Sequence, residues 1–184
     1  RLSLFRGRAG FLTGALAFEA GVPAPESVAT VDLDGDGRDE IVVAGGSRFL
    51  AVLQAEANAT RLTQDLVVKA QVDVGLPVQR VQVADCNADG REDLVVTTDQ
   101  GLKIVANMSS TGNLSLQRVP TQADKTLIGG VGLWDVEVAD VDGDGFVDLI
   151  ASDSTAQRVT VLRSLGFDFR FAPVGVNVPV SGVP

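Results

Sequence analysis

Three ten-residue stretches place oxygen-bearing side chains at alternate positions: DLDGDGRDEI over Asp32–Ile41, DCNADGREDL over Asp85–Leu94 and DVDGDGFVDL over Asp140–Leu149. Counted from the first Asp, positions 1, 3, 5 and 9 of the first loop are Asp32, Asp34, Asp36 and Glu40. The second loop has Asp85, Asn87, Asp89 and Asp93, and the third has Asp140, Asp142, Asp144 and Asp148. Position 6 is Gly37, Gly90 or Gly145, where a tight turn benefits from a residue that accepts unusual backbone angles. Oxygen ligands wrapped about such a turn suit a hard cation. Calcium takes about 6–8 of them in flexible geometry, one often a backbone carbonyl. Position 7 is Arg38, Arg91 or Phe146, and this change of chemistry fits a ligand that uses only its main-chain oxygen. Magnesium fits less well, because it prefers a small octahedral shell that keeps its waters.

Charge counting assigns the acidity to these loops. The 184 residues include 24 Asp and Glu against 15 Lys and Arg, a net charge of −9. Thirteen of the acids lie in the loops, and the eleven others face thirteen basic residues, so the rest of the chain is near neutral. Without cations the loop carboxylates would repel one another at close range. An EF-hand shares the start of the motif but should carry a bidentate Glu at its twelfth position. That position is Val43, Val96 or Ala151 here. A plain Asp-Gly turn accounts for one such loop, but not for three that each add an acid at position 9.

Apolar segments flank every loop. Val28–Val31, Val81–Ala84 and Val136–Ala139 lead in, the last two alternating through Gln82 and Glu137. Ile41–Val43, Leu94–Val96 and Leu149–Ala151 follow as runs that suit strands covered on both faces. A turn comes next, around Gly45-Gly46, Asp99-Gln100-Gly101 and Ser152–Thr155. Leu50–Leu53, Leu102–Val105 and Val159–Leu162 then form a third strand, and a less regular fourth segment closes the unit.

The first-position acids are 53 and 55 residues apart. A second marker, at Gly21-Val22-Pro23, Gly75-Leu76-Pro77, Gly129-Gly130 and Gly182-Val183-Pro184, keeps spacings of 54, 54 and 53. Four short strands per unit of about 54 residues predict an all-β chain of four-stranded antiparallel β-propeller blades. A β-sandwich is the plainer alternative. The expected units are blades over 21–74, 75–128 and 129–181, with 1–20 supplying the last two strands of a preceding blade. Propellers use about 4–8 blades. The expectation is therefore a fragment of a longer protein, or end blades covered by a partner or a second copy.

The three loops resemble the calcium loops of FG-GAP or VCBS repeats, found in integrin-α-like β-propellers, and the repeat pattern covers nearly the whole chain. Two positions depart from that family. Glu40 stands where position 9 is usually Asp, and Ala88 where position 4 is usually Gly. The resemblance implies structural calcium, up to three ions, stapling the first two strands of each blade, with ligand binding left to other loops. It also implies an extracellular, cell-surface or periplasmic setting, where calcium is abundant.

Function follows as a set of expectations. The first is a non-catalytic, calcium-stabilised module for protein–protein interaction or adhesion, as a domain, fragment or subunit of a larger assembly. A lectin-like propeller is the alternative, since related propellers bind sugars between blades. Aromatics make up only 5% of residues, however, with no Tyr, and the lone Trp134 reads as packing. A polysaccharide-degrading enzyme is the third reading. The chain has no His, so it lacks the commonest general base and a common transition-metal ligand. Its pI near 4.4 argues against nucleic acid and anionic membranes, and no apolar run is long enough for membrane insertion. Cys86 reads as a core side chain. Asn58, Asn107 and Asn113 open glycosylation acceptor triplets. Arg6, Arg8, Arg158, Arg163 and Arg170 read as solvated charges.

Overall fold

The computed structural model describes residues 2–8, 11–18, 21–56, 66–119, 133–154 and 157–179, with the main chain alone for 2–18, 133–134 and 175–179. All regular structure in these residues is strand. Strands β1 (Leu2–Arg8) and β2 (Phe11–Phe18) form an antiparallel pair. A seven-stranded antiparallel sheet follows in chain order: β3 (Ser27–Val31), β4 (Glu40–Ala44), β5 (Ser47–Ala55), β6 (Leu66–Ala84), β7 (Asp93–Thr98), β8 (Gly101–Asn107) and β9 (Leu116–Arg118). The third sheet, also antiparallel, holds β10 (Leu133–Ala139), β11 (Asp148–Asp153), β12 (Arg158–Ser164) and β13 (Phe171–Pro179).

Each acidic loop therefore joins two neighbouring antiparallel strands: β3 to β4, β6 to β7, and β10 to β11. The register closes at the loop mouth, with Val31 opposite Glu40, Ala84 opposite Asp93 and Ala139 opposite Asp148. Position 9 of each motif is thus the first residue of the outgoing strand.

One feature differs from the strand order read in the sequence. The fourth segment of the first unit and the leading strand of the second are a single strand, β6. Its first part pairs with β5 from Leu66 to Asp73, its last part pairs with β7 from Val78 to Ala84, and Val78 also stands opposite Ser47 of β5. Gly75 lies between them with φ +84°, a left-handed angle that favours glycine. A β-carbon there would also approach Arg118 Nη1 to 2.8 Å. Pro77, which donates no backbone hydrogen bond, falls within the same handover.

Alternation along the strands builds two large cores. Val31, Leu33, Val42, Leu50, Val52, Val81, Leu94 and Val96 pack into the first, between the two halves of the long sheet. Val95, Leu102 and Ile104 face the other way and meet Val136, Leu149, Ala151 and Leu162 of the third sheet. Leu94 and Val95 thus serve different cores from adjacent positions, which is why β7 is apolar on both faces. Position 2 of the loops follows this layering. Leu33 and Cys86 are each 2% exposed, under the next unit along the chain, whereas Val141 of the third loop is 56% exposed.

Candidate metal centres

The three loops fold through the same short-range hydrogen bonds. In the first, the Asp36 N–H donates to Asp32 Oδ1 (3.1 Å) and Asp34 Oδ1 (3.2 Å), and the Gly37 N–H donates to Asp32 Oδ2 (2.9 Å). In the second, the Asp89 N–H donates to Asp85 Oδ1 and Asn87 Oδ1, each at 3.1 Å, and Gly90 N–H to Asp85 Oδ2 at 2.8 Å. The third repeats this from Asp144 to Asp140 and Asp142, both at 3.2 Å, and from Gly145 to Asp140 at 2.9 Å. Main-chain N–H groups of Arg38, Arg91 and Phe146 donate to the position-5 carboxylates at 2.9, 2.9 and 3.0 Å. Positions 1, 3 and 5 are thereby drawn into one turn in each loop.

Carboxylate oxygens of Asp32, Asp34 and Asp36 lie within 4.8 Å of one another, as do those of Asp140, Asp142 and Asp148. Two such groups of hard oxygen donors fit a calcium ion in composition and spacing. In the second loop Asn87 replaces one acid, leaving Asp85 and Asp89 as the anionic pair beside its amide oxygen. Asp144 turns to Arg163 and stands apart from the third group.

Position 9 has a second task that the motif alone does not disclose. Asp93 is fully buried; its Oδ2 accepts the Cys86 N–H (3.0 Å) and its Oδ1 the Asn107 N–H (2.8 Å). Asp148 does the same for Val141 (3.1 Å) and Ser164 (2.8 Å). Each carboxylate pins the loop to the end of the third strand of its unit. In the first loop Glu40 accepts the Leu33 N–H at 2.7 Å, but its longer side chain reaches the Gln54 side-chain amide rather than a main-chain N–H. Burial raises the Glu40 pKa. Burial also pushes Asp93 up to about 6, against the pull of its two N–H donors. Asp148 of the third loop is buried as fully as Asp93.

Position 4 is left-handed in every loop: Gly35 at φ +66°, Ala88 at +58° and Gly143 at +78°. An alanine pays about 1–2 kcal/mol in that region, and glycine gives back about 0.4–1 kcal/mol through the freedom of the unfolded chain. Ala88→Gly is accordingly expected to stabilise the protein by about 1 kcal/mol, read as a shift in the denaturant midpoint. No gain would show that the loop relieves the strain elsewhere.

Neighbouring units grip the first loop. The Asn107 side-chain amide donates to Leu33 O (2.8 Å) and Glu92 O (3.0 Å), and the Gly112 N–H donates to Asp34 O (2.9 Å). A cleft of about 390 Å³ lies beside this contact, lined in part by Asp32, Asp34, Arg91, Ser109 and Thr111, with no aromatic ring among the described residues of its wall. Asn107 is therefore no glycosylation acceptor: it is 1% exposed and its amide hydrogens are engaged. Asn113 is exposed, and Asn58 lies outside the described residues. The Trp134 side chain likewise lies outside the description. Cys86 is a core residue whose thiol burial pushes well above its usual range. Arg163 is not a simple solvated charge, since it pairs with Asp142 and Asp144. No helix among the described residues is long and apolar enough to cross a membrane.

Residues 85–151 match the FG-GAP-like repeat family and residues 24–50 match the FG-GAP repeat family. Comparison with curated proteins returned no match. The first stretch holds the second and third loops whole, and the other holds the first loop. With its antiparallel sheets and these loops between paired strands, the chain carries FG-GAP repeats and resembles the FG-GAP repeat proteins.

Proposed function

We propose that the chain is a non-catalytic, calcium-stabilised β-propeller module for protein–protein interaction or adhesion, working outside the cytoplasm. The carrying observation is the set of three loops with one hydrogen-bond plan between paired strands, two of which bring three carboxylates together: Asp32, Asp34 and Asp36, and Asp140, Asp142 and Asp148. An extracytoplasmic setting, where calcium is abundant, would keep such sites loaded. Bound there, calcium would neutralise the clustered carboxylates and tie each pair of strands at its open end; it takes no part in a reaction. The two halves of the long sheet, before and after Gly75, and the third sheet each read as one blade, with the shared strand β6 as the boundary between the first two. Exposure of Val141, where Leu33 and Cys86 are covered, supports a further repeat or a protein partner over that face.

Calorimetric titration is the test. Calcium is expected to bind at up to three sites per chain, with magnesium weaker. A flat calcium titration would remove the metal from this reading. A glycan panel separates the carbohydrate-binding alternative, which the cleft without aromatic walls does not favour.

A further inference from the structure

Every acidic loop has a guanidinium on its position-5 carboxylate. Arg38 Nη2 donates to Asp36 Oδ2, and Arg91 Nη2 to Asp89 Oδ2, both from position 7. The third loop cannot repeat this, because position 7 is Phe146, whose ring meets Phe167 edge-on at 5.9 Å. Arg163 of β12 fills the same place instead. Its Nη2 donates to Asp144 Oδ2 at 2.9 Å, and its Nε pairs with Asp142. The charge recurs although its origin in the sequence does not.

These pairs are poorly placed to hold the fold together. The three arginine side chains are 42–49% exposed, and exposed ion pairs add little to stability. What they do change is the charge that an incoming cation meets. Resting on the calcium reading above, we propose that Arg38, Arg91 and Arg163 are internal counter-cations that weaken calcium binding and so restrict loading to calcium-rich surroundings. A divalent ion must either displace the guanidinium or share the carboxylate with it, and both raise the dissociation constant. In the first two loops displacement is opposed further. Arg38 Nη1 also holds Ala55 O, and Arg91 Nε holds Asn107 O, each at 2.9 Å, so the charge stays anchored at the end of the third strand. One unit charge a few ångströms from a divalent ion, screened nearly as in water, is worth about a tenfold change in affinity.

The test compares calcium titrations of the wild-type chain and of Arg38→Gln/Arg91→Gln/Arg163→Gln, followed by calorimetry and by the melting midpoint. The substitutions keep every main-chain carbonyl. The triple variant is expected to load at about tenfold lower free calcium, while Arg38→Lys, which keeps the charge, leaves its loop near wild type. Binding with an unmoved or raised midpoint in the triple variant overturns the counter-cation role alone. A wild-type chain that takes up no calcium overturns the calcium reading and this inference together. Should the triple variant fail to fold, Arg163→Gln alone decides the matter, since that side chain is half exposed and lies outside the expected ligand set.

Discussion

In saturating calcium the chain is expected to melt on the order of 20 °C above its midpoint in chelator. Binding at about one hundred times the dissociation constant stabilises a folded protein by about 2.7 kcal/mol per site. Three occupied loops would give about 8 kcal/mol, and for a chain of this size about 1 kcal/mol moves the midpoint by roughly 2–4 °C. Asp36→Ala should remove about a third of that increment. In chelator it should cost only a small fraction of that, because the pair with Arg38 is partly solvated and the buried Gln54 amide, which also donates to Asp36, keeps its bond to Glu40. Scanning calorimetry of both proteins in both media reads the difference. Equal losses with and without calcium would mean that Asp36 supports the loop and binds no ion.

Asp93→Ala should behave in the opposite way, with a loss of about 2–4 kcal/mol whether or not calcium is present. The carboxylate is fully buried between the N–H groups of Cys86 and Asn107. Removing it leaves both donors in the core without partners, at about 1–3 kcal/mol each. Part of the loss is offset, because burial already opposes the charge on Asp93. Asp93→Asn should recover roughly half, as its amide oxygen can serve one donor. Equilibrium unfolding in chelator measures all three. A cost for Asp93→Ala below about 1 kcal/mol would show that the loop does not depend on this pin. Together, Asp36 and Asp93 separate two roles that a single acidic motif merges.

Much of this was legible from local pattern. The loop boundaries, the turn glycines and the strands on either side follow from residues no more than a few places apart, and the apolar runs gave the doubly covered strands. Longer-range contacts were not. Asn107 fits an acceptor triplet in one dimension, yet its amide spans 74 residues to hold Leu33. The second task of position 9 appears only once its two N–H donors, 7 and 14 residues away for Asp93, become visible. Arg163 looks like an isolated charge because its partners Asp142 and Asp144 reach it only through the pairing of β11 with β12. Departures inside the motif were visible, but their meaning was not: Glu40 for Asp changes which group of the third strand is held, and Ala88 carries backbone strain.

The continuous strand β6 makes the first two units one melting unit. Modules joined by a flexible connector can lose order in turn, each leaving its neighbour intact. Here one strand carries the pairing with β5 and the pairing with β7, and Val78 shares both, so fraying on either side travels along the same strand. Nearest-neighbour coupling of that kind favours a single transition over two. It also means that a cut at the Gly75 boundary severs β6 itself and parts Val78 from Ser47 of β5.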